Sequence, residues 1–332
     1  MKIYKTGVDI IIPAYNAAST IEKTLYSIAI QKNMSDFNVY IIDDNSSYDY
    51  SNQVNKFKNY YQITALKLSK NMGPGYARQY GLENSNREYI IFMDSDDYFY
   101  SPYSLYKLYN AIRVNNNEFV ISDFYSEKNG VYELKRNNYS WLHGKIYSRK
   151  FIEENKIKFN GTRENEDVGF NCLMKFYKPK TYLLKEVTYI YTENLSSITR
   201  INNFKYSFDG IKSFAMNVEL SVLEAIKRKI DLHLPIYTCF HALVDLYCYY
   251  IIYYKRSDVS KITEWGIKLK NIYDAYKEEY LNDINFEEKV KCIKKQTLKP
   301  DQEEECTITF KDFEKMIEEL KYDRYNNTSL QW

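Results

Sequence analysis

Tyr89-Ile90-Ile91-Phe92-Met93-Asp94-Ser95-Asp96-Asp97 is the stretch that organises the chain. Its first five residues form a short apolar run, the pattern of a buried strand. In an extended segment the side chains at i and i+2 share a face, so Asp94 and Asp96 point the same way, about 7 Å apart at ~3.3 Å of rise per residue. Two carboxylates so placed repel unless a cation joins them. A hard divalent ion such as Mn2+ or Mg2+, shared with phosphate oxygens, is one answer. A polar strand end leading into a turn is the other, because Asp and Ser are common turn residues. The four residues alone favour the turn; their surroundings favour the site.

Upstream, strands and helices alternate. Residues 8–13 read as a strand closed by Pro13, followed by the loop Ala14-Tyr15-Asn16. Ser19 is expected to cap a helix running to about Gln31, with Glu22 completing a capping box. Residues 37–42 read as a second strand ending in Asp43-Asp44, and residues 50–60 as a helix. A third strand at 63–68 leads through the loop 70–75 into a helix at 76–83. Four strands with short helical connections predict an α/β domain with a mainly parallel sheet flanked by helices. Ligands of such sheets bind beyond the carboxyl ends of the strands. All four ends here carry polar or special residues, and their convergence at one edge is the main physical argument for a site.

Downstream, a helix at 102–113, a strand at 118–122, a hairpin around 130–134 and a helical stretch opened by Asn165-Glu166-Asp167 are expected, then a strand at 181–191. Beyond residue 202 glycine nearly vanishes and helical patterns dominate, at 204–229, 235–255, 259–280 and 310–322, with a charged loop at 294–305. The expected division is an α/β domain over 1–201 and a helical domain over 202–332.

Hydrophobic residues make up 45% of the 332, enough for a sizeable core. The 46 Lys+Arg against 44 Asp+Glu leave no basic footprint, so no nucleic-acid partner is expected. Thirty-six tyrosines fit either a biased genome or carbohydrate-stacking surfaces. Five scattered cysteines without a CxxC pair read as reduced thiols. No signal peptide is visible, and the apolar stretch 237–254, interrupted by His241 and Asp245, falls short of a membrane span. The expected location is cytoplasmic, with a peripheral place at the inner face of the membrane as an extension.

The ordered set Ile11-Ile12-Pro13-Ala14-Tyr15-Asn16, Ile41-Ile42-Asp43-Asp44-Asn45-Ser46, Asn71-Met72-Gly73 with Ala77-Arg78-Gln79-Tyr80-Gly81-Leu82, Phe92-Met93-Asp94-Ser95-Asp96-Asp97, Gly144-Lys145-Ile146-Tyr147 and Glu166-Asp167 resembles the family 2 glycosyltransferases. The resemblance covers residues 1–201 and excludes the helical tail. It implies the GT-A fold, a Rossmann-like α/β sheet, and a nucleotide-diphosphate sugar donor, with a UDP-sugar expected and Mn2+ or Mg2+ as cofactor. By position, Pro13, Tyr15 and Asp44 would line the base and ribose pocket. Asn71 and Arg78 would lie near the nucleotide and its phosphates. Asp94 would face the ribose or the metal shell beside Ser95, and Asp96 would be the direct metal ligand. Asp167 would be the general base, with Glu166 beside it, and Lys145 would contact sugar or phosphate. His143 reads as structural rather than as a ligand.

These residue types suit the reaction. Loss of an anionic diphosphate is eased by a divalent cation and an arginine. The attacking hydroxyl must lose a proton to a carboxylate opposite the leaving group. Asp167, in the first turn of its helix, is expected to be ionised by the helix dipole. Direct displacement implies inversion, as in the family. One departure is the segment 191–200, which lacks the family's His; Asn194 stands near that place and Arg200 is the candidate substitute. The acceptor implied is a surface glycan, a teichoic acid or a lipid-linked chain, and the tail would select it, oligomerise the chain or hold it at a membrane surface. A non-catalytic sugar-nucleotide binder and a nucleotidyltransferase are the competing readings. The second expects a glycine-rich loop after the first strand, where Pro13 to Ala18 has no glycine.

Overall fold

The computed structural model describes residues 3–192, 208–299, 302 and 307–328. The chain divides into two compact units, Met1–Asn203 and Phe204–Trp332.

Unit 1 is built on one sheet of nine strands among the described residues. In chain order its elements are β1 (Lys5–Ala14), α1 (Ile21–Ala29), β2 (Phe37–Asp43), α2 (Ser51–Asn55), β3 (Gln62–Lys67), α3 (Pro74–Glu83) and β4 (Arg87–Phe92). These are followed by β5 (Tyr98–Phe99), α4 (Ser104–Val114), β6 (Phe119–Lys128), β7 (Val131–Lys135), β8 (Lys145–Ser148), α5 (Arg149–Glu154), α6 (Glu166–Phe176) and β9 (Thr181–Thr192). The strand order is β3-β2-β1-β4-β8-β6-β9-β5, with β7 hairpinned onto β6. The first four strands are mutually parallel. Beyond them the sheet is mixed, because the short β8 enters antiparallel to both β4 and β6.

The apolar run of β1 follows from its place. Val8, Ile10, Ile11 and Ile12 are all buried, as a strand covered on both faces requires. Ile10 and Ile12 pack with Ile21, Leu25 and Ile28 of α1. Ile11 faces α3, where a Cβ on Gly81 would come within 2.5 Å of its Cγ2, so the helix can lie this close only without a side chain there. α3 starts at Pro74, at a position where a missing N–H costs nothing. One charged residue interrupts β1. The Asp9 carboxylate is buried and accepts from the Asn86 and Arg87 amides and from Arg149 Nη2 at 3.0 Å. Arg149 is itself buried and also donates to the carbonyls of Arg87 and Leu82 and to Ser85.

Two local expectations are corrected. Thr20, not Ser19, precedes α1, and no side-chain cap forms; Glu22 turns instead to Lys56 at 2.9 Å. α2 is a helix of five residues only, its single buried side chain being Val54.

Unit 2 contains α7 (Phe208–Lys227), α8 (His233–Tyr253), α9 (Ser260–Tyr280), α10 (Phe286–Thr297) and α11 (Phe310–Thr328). α8 is apolar nearly all round because it is the buried helix: Cys239, Phe240, Leu243, Val244, Leu246, Tyr247 and Cys248 are all inaccessible. No described helix is long and apolar enough to cross a membrane. Gly266 lets α11 approach α9, since a Cβ there would meet Ile317 at 2.8 Å. The buried Lys270 of α9 is held by Asp274 at 2.6 Å, Glu318 at 3.3 Å and Glu314 at 3.5 Å. The charged loop expected from residue 294 is in its first turn the end of α10. The Asn285 side chain caps that helix by accepting from the Glu288 amide, and Ile293 alone is buried.

Candidate active site

The carboxyl ends of the parallel strands finish nearly level. Ala14 pairs with Asp43 and Asp43 with Lys67, while β4 stops at Phe92 beside Ile11. The loops beyond β1 and β2 clasp each other: the Asn16 amide donates to Ser46 Oγ, and the Ser47 amide to Asn16 Oδ1, each at 2.9 Å. Pro13 is buried beneath them and Tyr15 is 51% exposed above. Asp44 is buried, and its two oxygens accept from the Met72 and Gly73 amides at 2.7 Å each. It thereby fixes the loop that leads into α3. Asn71, next in that loop, is half-buried and lends its carbonyl to Arg163.

Arg78 on α3 is the hub. It is buried, with Nη2 on Asp94 Oδ1 at 2.5 Å and Nη1 on Glu166. A Cβ on Gly75, one turn earlier, would meet Glu166 Cγ at 2.8 Å, so a small residue there makes room for this pairing. Burial disfavours the Arg78 charge, but Asp94 and Glu166 outweigh it and hold the guanidinium protonated. In return, against its own burial, Asp94 is held well below the usual carboxylate range by Arg78 and His143.

A second cluster lies behind Asp94. Asp97 is fully buried and accepts from Tyr189 Oη and the Thr192 amide, each at 2.7 Å. His143 Nε2 stands 3.6 Å from both Asp94 and Asp97, and its Nδ1 is buried without a hydrogen-bond partner. The imidazole stacks on Tyr191 with 4.5 Å between ring centres, and on Tyr189 at 5.3 Å. Ligand atoms of Asp94, Asp97 and His143 lie within 4.8 Å of one another. Burial pushes the His143 pKa down, so the ring is neutral at pH 7 and able to bind a cation. Burial, then Asp96 and Asp94, push Asp97 up; a cation at the cluster would reverse that. Two carboxylates and an imidazole suit Mn2+ better than Mg2+, which prefers oxygen donors. Ser95 and Asp96 are half-buried in the same turn, and Asp96 stands outside the converging trio.

Asp167 opens α6 next to Glu166, after Asn165 in the left-handed conformation at φ 58°. The dipole-ionised carboxylate expected from the sequence is not what the surroundings produce. Burial, and then Glu166, push Asp167 up to about 7. A helix dipole contributes roughly 0.3–1 kcal/mol, less than desolvation and a like charge together. Glu166 is also raised, burial outweighing the pull of Arg78. Lys145, at the start of β8, is buried and donates to the Trp141 carbonyl; burial brings it down to about 7, opposed by Asp167. It lies inside the wall rather than on an open surface.

The fold thus joins Asp94, Arg78 and Glu166 directly, with Asp167 beside them. Asp44 and Asn71 shape the loop before α3. Asn194 and Arg200 lie outside the described residues. Sequence reasoning passed over two participants. His143 reads from the sequence as structural; it stands immediately before the Gly144-Lys145-Ile146-Tyr147 segment, and that adjacency is the signal for its place near the strand ends. Tyr189, which donates to Asp97, carried no signal among so many tyrosines.

Comparisons with known proteins bear on the family and the fold. The model of glycosyl transferase family 2 matches residues 9–177. A cholesterol galactosyltransferase of Borreliella burgdorferi is 27% identical over 315 residues, covering 85% of this chain and 84% of the relative. The poly(ribitol-phosphate) beta-N-acetylglucosaminyltransferase TarP of Staphylococcus aureus is 31% identical over 197 residues, covering 54% of this chain and 60% of its own. A crystal structure of S. aureus TarS 1-349 in complex with UDP-GlcNAc superposes with a TM-score of 0.65 at 18% identity, over 97% of this chain and 92% of that one. At that identity the likeness shows the fold alone, and that fold is GT-A.

Proposed function

Because the chain belongs to glycosyl transferase family 2, we propose that it transfers a sugar, with inversion, from a UDP-sugar to a hydroxyl of a surface glycan, a teichoic acid or a lipid-linked acceptor, with Mn2+ or Mg2+ as cofactor. The observation that carries this reading is the buried chain Asp94–Arg78–Glu166, which ties the end of β4 to the helix presenting Asp167.

Asp167 is the general base. It takes the proton from the acceptor hydroxyl as oxygen attacks the anomeric carbon, and a pKa near the working pH suits that task. Arg78 does not reach outward; it keeps Asp94 ionised and Glu166 in place. Asp96 is the proposed direct metal ligand; Asp94, Asp97 and His143, whose ligand atoms converge on one another, are the further candidate donors. A divalent ion, when bound, neutralises charge on the departing diphosphate. Asp44 and Asn71 hold the loop over which the nucleotide lies, and Pro13, Tyr15 and Ser95 line it. Lys145 acts from within the wall on the charge near Asp167. One carboxylate base and one departure imply a single displacement, hence inversion.

Acceptor choice rests with the second unit. A match over 85% of the chain exceeds what residues 1–203 can supply, so the likeness to the cholesterol galactosyltransferase extends into unit 2. That extent favours a lipid-borne hydroxyl among the acceptor classes.

The test is donor hydrolysis with Mn2+ present, using UDP-glucose, UDP-galactose, UDP-N-acetylglucosamine, UDP-N-acetylgalactosamine and GDP-mannose, for the wild type and Asp96→Ala. Release of one nucleoside diphosphate, lost in the variant, is the expected result. A chain that neither hydrolyses any donor nor binds UDP with Mn2+ in calorimetry would overturn the reading.

A further inference from the structure

The outer face of α7 is apolar where the rest of unit 2 is not. Met216, Leu220 and Leu223 are 40%, 43% and 42% exposed. Among the described residues of unit 2, Tyr322 is the only other large hydrophobic side chain so exposed. The three stand at i, i+4 and i+7, one stripe of one helix. The stripe continues at both ends into exposed lysines, Lys212 one turn before Met216 and Lys227 one turn after Leu223, with Lys229 just beyond the helix. Asp209, at the extreme N-terminal end, is the one acid on it. The flanking acids are engaged: Glu219 pairs with Lys268 at 3.1 Å, and Glu224 with Arg228 at 2.6 Å and more loosely with Lys227 at 4.0 Å.

A second copy of the chain is a poor occupant. An antiparallel two-fold pairing centred on Leu220 would set Lys212 of each copy against Lys227 of the other. A parallel pairing would set each lysine against itself. The patch is also small, on the order of a few hundred Å², where a stable interface buries about 800 Å² per partner. A surface that accepts three aliphatic side chains and offers negative charge at both ends of the stripe matches it without conflict. We infer that α7 lies on an anionic lipid surface, with Met216, Leu220 and Leu223 inserted at the level of the headgroups and Lys212, Lys227 and Lys229 on lipid phosphates. Lysine stems are long enough to lie along apolar surface while their ammonium groups stay at the headgroups.

The test is co-sedimentation of the full chain with vesicles of phosphatidylcholine containing phosphatidylglycerol, and with vesicles of phosphatidylcholine alone. The wild type is expected to partition onto the anionic vesicles and to be released by 0.5 M NaCl. Leu220→Glu/Leu223→Glu should weaken partitioning at least about tenfold, and Lys212→Glu about fivefold at low salt. Donor hydrolysis in solution should be unchanged in both, which separates loss of the surface from loss of the fold. Equal partitioning of wild type and Leu220→Glu/Leu223→Glu, or no partitioning of the wild type, would overturn the inference. So would a wild-type dimer in sedimentation equilibrium that the same double variant dissolves, since the stripe would then belong to a second copy. The inference does not depend on the proposed reaction, because its readout is binding and the donor screen is scored separately.

Discussion

Two carboxylates far apart in the chain, Asp94 and Glu166, meet on one guanidinium; it holds Asp94 down, while burial keeps Glu166 raised against its pull. Removing that guanidinium leaves Glu166 buried and Asp94 half-buried without it, and breaking a buried pair costs about 3–5 kcal/mol. Arg78→Met is therefore expected to lower stability by that order in urea titration and to abolish donor hydrolysis. Arg78→Lys, a point charge without the fork that reaches both acids, should recover only part of each. For Asp167 the sign is set by its role: a base works deprotonated, and this one is held near 7. With acceptor present, kcat/KM should fall about tenfold per pH unit below that value and level off above it. Asp167→Asn should lose both the activity, by roughly 10²–10⁴-fold, and the inflection. The types and order of these residues were legible in the sequence. Their proton affinities were not, because desolvation depends on what the fold packs around a group, and no spacing in the chain reports that.

At the level of elements, α3 carries two glycines with different jobs. A Cβ on Gly81 would collide with the body of Ile11, a strand residue with nowhere to go, at 2.5 Å. A Cβ on Gly75 would meet Glu166 Cγ at 2.8 Å and its Cβ at 3.0 Å, so the root of that buried side chain would have to shift. Gly81→Ala is expected to cost about 1–3 kcal/mol as overpacking, seen as a lowered Tm. Gly75→Ala should lower both Tm and donor hydrolysis, because it displaces Glu166 from Arg78. The strands and α3 were readable because hydrophobic runs and turn residues alternate clearly there. α10 was not, although Phe286, Val290 and Ile293 stand at i, i+4 and i+7 and Asn285 stands three residues before Glu288, because charged residues dominate the stretch and only Ile293 is buried. The missing cap of α1 has the opposite cause, a good capping box that lost Glu22 to Lys56.

On the scale of the whole molecule, each unit has its own core and its own buried charge. In unit 2, Lys270 answers to Asp274, Glu314 and Glu318 on two helices. Lys270→Met should leave these acids repelling one another and lower the stability of unit 2 by a few kcal/mol, so calorimetry of the full chain should show one transition moving down while the other stays. The change of character near residue 202 was visible in the loss of glycine, and the fold class of unit 1 in its alternation of strand and helix. What escaped was the long-range pairing of Asp9 with Arg149, since an acid inside an apolar strand names no partner. That pair has a consequence for synthesis. Asp9 leaves the ribosome 140 residues before the cation that neutralises it, on the order of ten seconds at 5–20 residues per second. During that interval the Asp9 carboxylate can draw on the Asn86 and Arg87 amides but not on its guanidinium. A chain truncated before Arg149 is therefore expected to hold the sheet of unit 1 less firmly than one that includes α5, as protease protection of the two would show.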